Sequence, residues 1–158
     1  MITRNIDQAV EILKRDGMIS IPTETVYGLA ANAFKDHAVK KIFDLKKRPY
    51  FNPLIVHIKS IDFLSNIAID IPKVAYTLAE RFWPGPLTLV LNKHSDIPDR
   101  VTAGKKTVAV RVPDHPITQA LLAKLEFPLA APSANPFGSI SPTCAEACIP
   151  ITFTTNWK

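Results

Sequence analysis

The sequence predicts an α/β fold built on a mixed sheet, and three observations lead there. Short apolar runs with strand character, "MISIP", "PLIVHI" and "TVAVRV", alternate along the chain with amphipathic helical segments. The 158 residues, 47% of them hydrophobic, suit one compact unit that buries about two thirds of its unfolded surface. No apolar run approaches the roughly 20 residues of a membrane span, and the charged, amphipathic N-terminus lacks a signal-peptide core. We therefore read residues 1–158 as a single cytoplasmic domain without a membrane partner.

The elements follow in order. Asn5 is placed to cap a first helix: Gln8 stands three residues on, Ile6, Ala9, Val10 and Leu13 keep helical spacing, and Gly17 ends it. A short strand at 18–22 leads into a polar and small-residue stretch at 23–34. A second helix runs from Asp36 to about Lys47 with Val39, Ile42 and Phe43 inward. Pro49 stops it, because the residue before a proline is driven out of the α region. Residues 53–58 form a buried strand, Ser60 opens a short helical piece, and 72–83 is a helix with Pro72 at its start. A rigid turn feeds a strand within 84–92, and a polar connection at 93–106 precedes the strand 107–112. Residues 113–126 give a turn and a helix, and 127–143 a short strand with a long Pro/Ser loop.

Fourteen prolines stand against five glycines, and the prolines fall where strands end beside polar residues. Pro22 precedes Thr23-Glu24-Thr25, Pro113 precedes Asp114-His115, and Pro132 precedes Ser133-Ala134-Asn135. Since proline fixes φ, these corners are stiff, and ligands of α/β sheets gather where strands end. The net charge of +5 favours an anionic partner, nucleotide or nucleic acid. Cys144 and Cys148, in CxxxC spacing, fit no common zinc site and read as reduced thiols.

Three stretches carry candidate chemistry. In "KKRPYFNPLIVHI" three cations precede a proline brace and a strand holding His57, which must be hydrogen-bonded or face a cavity if buried. Lys46 and Arg48 would equally complement a helix C-terminus. In "TVAVRV" alternation puts Thr107, Ala109 and Arg111 on one face, with Thr107 and Arg111 about 13 Å apart. A buried arginine there needs an anion, either a ligand's carboxylate or phosphate or a protein carboxylate. "PSANPFGSISPT" offers hydroxyls and turn formers suited to phosphate oxygens. Neither phosphate-binding glycine motif occurs, and no Ser-His-Asp or Cys-His arrangement announces a nucleophile. An enzyme of this kind works by positioning and charge neutralisation.

Taken together and in this order, "PTETVYGL" (22–29), "KKRPYFNPLIVHI" (46–58), "WPGPLTLVL" (83–91), "TVAVRVPDHP" (107–116) and "PLAAPSANPFGSISPT" (128–143) resemble the YrdC-type domain of threonylcarbamoyl-adenylate synthases. The likeness covers about residues 5–143, and 144–158 is an atypical tail that reads as truncated or altered relative to the family. The resemblance implies a twisted mixed parallel/antiparallel sheet flanked by helices, with a positively charged concave face. It also implies condensation of L-threonine, bicarbonate and ATP to threonylcarbamoyl-AMP and pyrophosphate, for the threonylcarbamoyl modification of tRNA adenosine. Magnesium would accompany the ATP, with no metal held by protein side chains, and a complex of tRNA-modifying transferase proteins would use the product. By motif, Thr25, His57, Arg111 and the backbone of Ala131 would meet threonine. Lys46, Arg48 and Asn52 would meet the nucleotide phosphates, and Thr107, Ser133, Asn135 and Ser141 other parts of the ATP. Lys46 and Arg48 are the main candidates for charge neutralisation. Competing readings are a non-catalytic member that binds ATP or RNA, double-stranded or transfer, and a hydrogenase-maturation relative.

Overall fold

The computed structural model describes residues 2–3, 5–148 and 154–155. Eight strands form one sheet in the order β1-β8-β2-β3-β7-β4-β6-β5. They are β1 Ile2–Thr3, β2 Ile19–Ile21, β3 Gly28–Asn32, β4 Ile55–His57, β5 Leu89–Asn92, β6 Thr107–Arg111, β7 Leu129–Ala130 and β8 Thr154–Thr155. The helices are α1 Ile6–Lys14, α2 Asp36–Lys46, α3 Lys73–Phe82, α4 Asp99–Thr102 and α5 Pro116–Ala123, with a 3-10 helix at Ile61–Asn66. The sheet is mixed: β4 and β6 run parallel, whereas β2–β3, β3–β7, β7–β4 and β6–β5 are antiparallel.

Local chemistry accounts for the helix ends. The Asn5 side chain accepts from the Gln8 backbone N–H at 3.1 Å, fixing the start of α1. Lys47, at φ 51°, ends α2 in the left-handed conformation and returns its N–H to the last turn.

Two cores hold the layers together. One face packs α2, through Val39, Ile42 and Phe43, and α3, through Ala75 and Ala79, against Leu29, Val56, Val108 and Val110. The opposite face packs α1, through Ala9, Val10 and Leu13, and α5, through Leu121 and Leu122, against Ile19, Ile21, Ala30 and Leu129. This second cover stops at β7. Beyond it Ile55, Ala109 and Val90 lie side by side in register and belong to neither core, with Val90 left 66% exposed. Half of that face is an open platform.

Two stretches that read as irregular contain regular elements, and the sequence reading does not foresee the two-residue strands β1 and β8. The stretch 23–34 contains β3, whose five residues are all buried. A strand covered on both faces shows no alternation, and Gly-Leu-Ala-Ala-Asn carries no β-branched residue. The connection 93–106 contains the one-turn α4, closed by Ala103 at φ 54° and Gly104 at φ 75°. One turn is too short to show a period. Of the tail 144–158, residues 149–153 and 156–158 lie outside the described residues, and Thr154–Thr155 pair in parallel with β1.

Candidate active site

The open platform ends at two polar rims. At one end of β6, Thr107 sits in register with Asn92. At the other end Arg111 sits in register with His57 of β4, and His57 with Leu129 of β7.

Arg111 is 7% exposed, and three acceptors from two loops, one holding Glu24 and Thr25 and the other Gly85, fix its guanidinium. Its Nε donates to the Gly85 carbonyl at 3.2 Å and its Nη2 to the Thr25 hydroxyl at 3.3 Å. The same Nη2 lies 2.5 Å from Glu24 Oε1, while Glu24 Oε2 accepts from the Asp114 backbone N–H at 3.1 Å. Burial alone would raise the Glu24 carboxyl, but the Arg111 hydrogen bond and charge and the backbone N–H groups outweigh it and keep its pKa lowered. The anion that a buried arginine requires is thus Glu24 in this structure. The Thr23 hydroxyl braces the loop, donating to the Val26 carbonyl at 2.7 Å.

His57 is 4% exposed, and its buried Nδ1 has no partner among the described residues. Burial, aided by the Arg111 charge, pushes its imidazole down to about 4. The ring is neutral at pH 7, and its Nδ1 is left beside a cation without a protein partner among the described residues. Ala131 joins the same group, but its N–H is committed to the Ile55 carbonyl at 3.0 Å. Its carbonyl remains the backbone group that could meet a ligand.

A second cluster forms around the C-terminus of α2. The Lys46 ammonium, with the residue 2% exposed, donates to the Ser133 carbonyl at 2.6 Å and to the Asn135 carbonyl. Burial and the neighbouring Arg48 push its pKa down to about 8, while the two carbonyls favour the charged form. The Phe137 N–H donates to the Lys46 carbonyl at 3.2 Å, and Arg48 lies over the Phe137 ring at 5.7 Å. Arg48 also donates to the Asn52 and Pro53 carbonyls. Asn135 Nδ2 donates to the Pro136 and Ser139 carbonyls at 2.8 Å each.

The two clusters share a wall. The Tyr27 N–H donates to the Pro142 carbonyl, next to Ser141, and the Ala134 N–H to the Tyr27 carbonyl. Gly28 bridges to Ser133, and a Cβ at Gly28 would come within 3.3 Å of the Ala131 Cβ. Glycine permits that approach. The structure therefore brings Thr25, His57, Arg111 and Ala131 together, and Lys46, Arg48, Asn52, Ser133, Asn135 and Ser141 alongside them. It sets Thr107 apart, at the far end of β6.

Sequence reasoning missed Glu24 and Phe137. The signal for Glu24 was present: a strand arginine calls for an anion, and "TET" places a carboxylate beside Thr25. Among the described residues no group of three or more His, Cys, Asp or Glu side chains could hold a metal ion. Nor is any of the described helices long and apolar enough to cross a membrane.

The architecture is that of an open α/β sheet, a class in which ligands gather where strands end. Residues 11–153 match the Sua5/YciO/YrdC family model, described as "Telomere recombination". The chain belongs to that family, and the match carries on past the Thr143 that closes the last sequence motif. It is 52% identical over 142 residues to the threonylcarbamoyl-AMP synthase of Bacillus subtilis, covering 89% of this chain and 41% of the relative. Against the synthase of the same name from Pyrococcus abyssi it is 52% identical over 137 residues, covering 87% of this chain and 40% of the relative. A crystal structure of P. abyssi Sua5 in complex with L-threonine superposes with a TM-score of 0.93 at 47% identity, covering 96% of this chain and 46% of that one. The chain thus spans about two fifths of the length of these curated relatives.

Proposed function

We propose that this chain carries out the synthase reaction: L-threonine, bicarbonate and ATP give threonylcarbamoyl-AMP, pyrophosphate and water. One observation carries the reading. Arg111, Thr25 and the neutral His57 converge at the end of an open sheet face, in a chain whose fold superposes on a relative crystallised with L-threonine.

The chemistry fits these residues. The threonine ammonium releases a proton to solvent, the free amine attacks the bicarbonate carbon, and a bicarbonate oxygen leaves as water with a proton from the amine, giving a carbamate. A carbamate oxygen then attacks the α-phosphorus and the P–O bond to pyrophosphate breaks. Two anions must meet in this step, and Lys46, Arg48 and Arg111 offset their repulsion as cations do in other phosphoryl transfers. Fixing both partners in attack geometry lowers the barrier further. The stiff Lys46–Ser133–Asn135 lattice supports such preorganisation. Magnesium would enter bound to the triphosphate as part of the substrate. The product would pass, in the cytoplasm, to proteins that load it onto tRNA, and the net charge of +5 suits that anionic partner.

Pyrophosphate release tests the reading. The full reaction should require all three substrates, and release that ignores threonine would overturn it. Arg111→Ala should raise the threonine KM about tenfold or more, the scale of a lost charge-assisted hydrogen bond, and change the ATP KM far less.

A further inference from the structure

The geometry points to Glu24 as the residue that receives the ammonium group of the amino-acid substrate. The inference rests on the proposed function and adds a residue to it. A free α-amino acid is a zwitterion, so a site that offers only Arg111 to the carboxylate leaves a positive charge unmet a few ångströms away. Burying that charge without a partner is costly. His57 is neutral and Thr25 contributes a hydroxyl.

The carboxylate at this spot is Glu24, 2.5 Å from the Arg111 Nη2 and anchored through its other oxygen to the Asp114 N–H. The ligand-free site therefore holds a complementary pair of opposite charges in contact. A zwitterion that enters between them replaces one ion pair with two. The site keeps its net charge, and neither protein charge is stranded during the exchange. The Asp114 anchor keeps Glu24 beside the site when Arg111 turns to the ligand. This arrangement makes the site selective for amino acids over hydroxy acids or simple carboxylates.

The test compares L-threonine with 3-hydroxybutanoate, which keeps the carboxylate and β-hydroxyl but lacks the amine. Calorimetry is run on the full chain and on Glu24→Gln, whose amide oxygen still accepts from Arg111. The wild-type chain should bind threonine about tenfold or more tightly than 3-hydroxybutanoate. Glu24→Gln should lose most of that preference through weaker threonine binding, with 3-hydroxybutanoate little changed. If Glu24→Gln binds threonine as tightly as the wild type or more tightly, Glu24 only fills the place of the ligand carboxylate and the assignment is overturned. A parallel loss of both ligands also overturns it, since Glu24 would then act only by holding Arg111. Should the glutamine variant not fold, Glu24→Asp, which withdraws the carboxylate by one methylene, is judged by the same two affinities. A wild-type chain that binds no threonine at all would instead sink the proposed function.

Discussion

His57 couples the site to the stability of the fold. Burial and the Arg111 charge push its pKa down to about 4, whereas an unfolded chain takes up the proton near the ordinary value of about 6.5. Below that value the unfolded state binds the proton that the folded state refuses. The contribution to stability is complete above about pH 6.5 and is lost as pH falls towards 4, at up to about 1.4 kcal/mol per pH unit. Urea midpoints measured between pH 7.5 and 5 should fall more steeply for the wild-type chain than for His57→Gln. At the same scale, alternation in "TVAVRV" already set Arg111 and Thr107 on one face, and the register confirms it. Glu24 was harder to find, because an ion pair between residues 24 and 111 rests on loop closure across the sheet and leaves no local spacing.

Helices were the most legible elements because their signals are local. Asn5, the spacing of Ile6, Ala9, Val10 and Leu13, and Gly17 mark α1 within a dozen or so residues. Replacing Asn5 with Ala should cost about 1 kcal/mol and lower the melting temperature by about 2–4 °C for a chain of this size. Ligand affinities should be unchanged, because α1 packs over β2 and β3 and away from the open platform. Strands were less legible where burial is two-sided. β3 lacks alternation because both its faces are covered, and β7 is two residues long in a proline-rich stretch. The loop after β7 was recognised as polar, but its attachment to α2 depends on Lys46 reaching carbonyls 87 and 89 positions away.

Across the whole molecule, the uncovered half-face is apolar area that a ligand could remove from water. With ATP and threonine each near a hundred times their dissociation constants, a folded state that alone binds them gains about 2.7 kcal/mol per independent site. The melting temperature should then rise by about 5–10 °C, and differential scanning fluorimetry with each ligand alone and both together checks this. The strand order has a further consequence. β7, from residues 129–130, separates β3 from β4; β3 precedes it in sequence by about 100 residues and β4 by about 70. Until that segment leaves the ribosome, the nascent chain holds two half-sheets with raw edges turned towards each other, the state in which unwanted strand pairing is easiest. The late strand works as a keystone: its arrival closes the arch, and the pocket's two sides come into being in the same event.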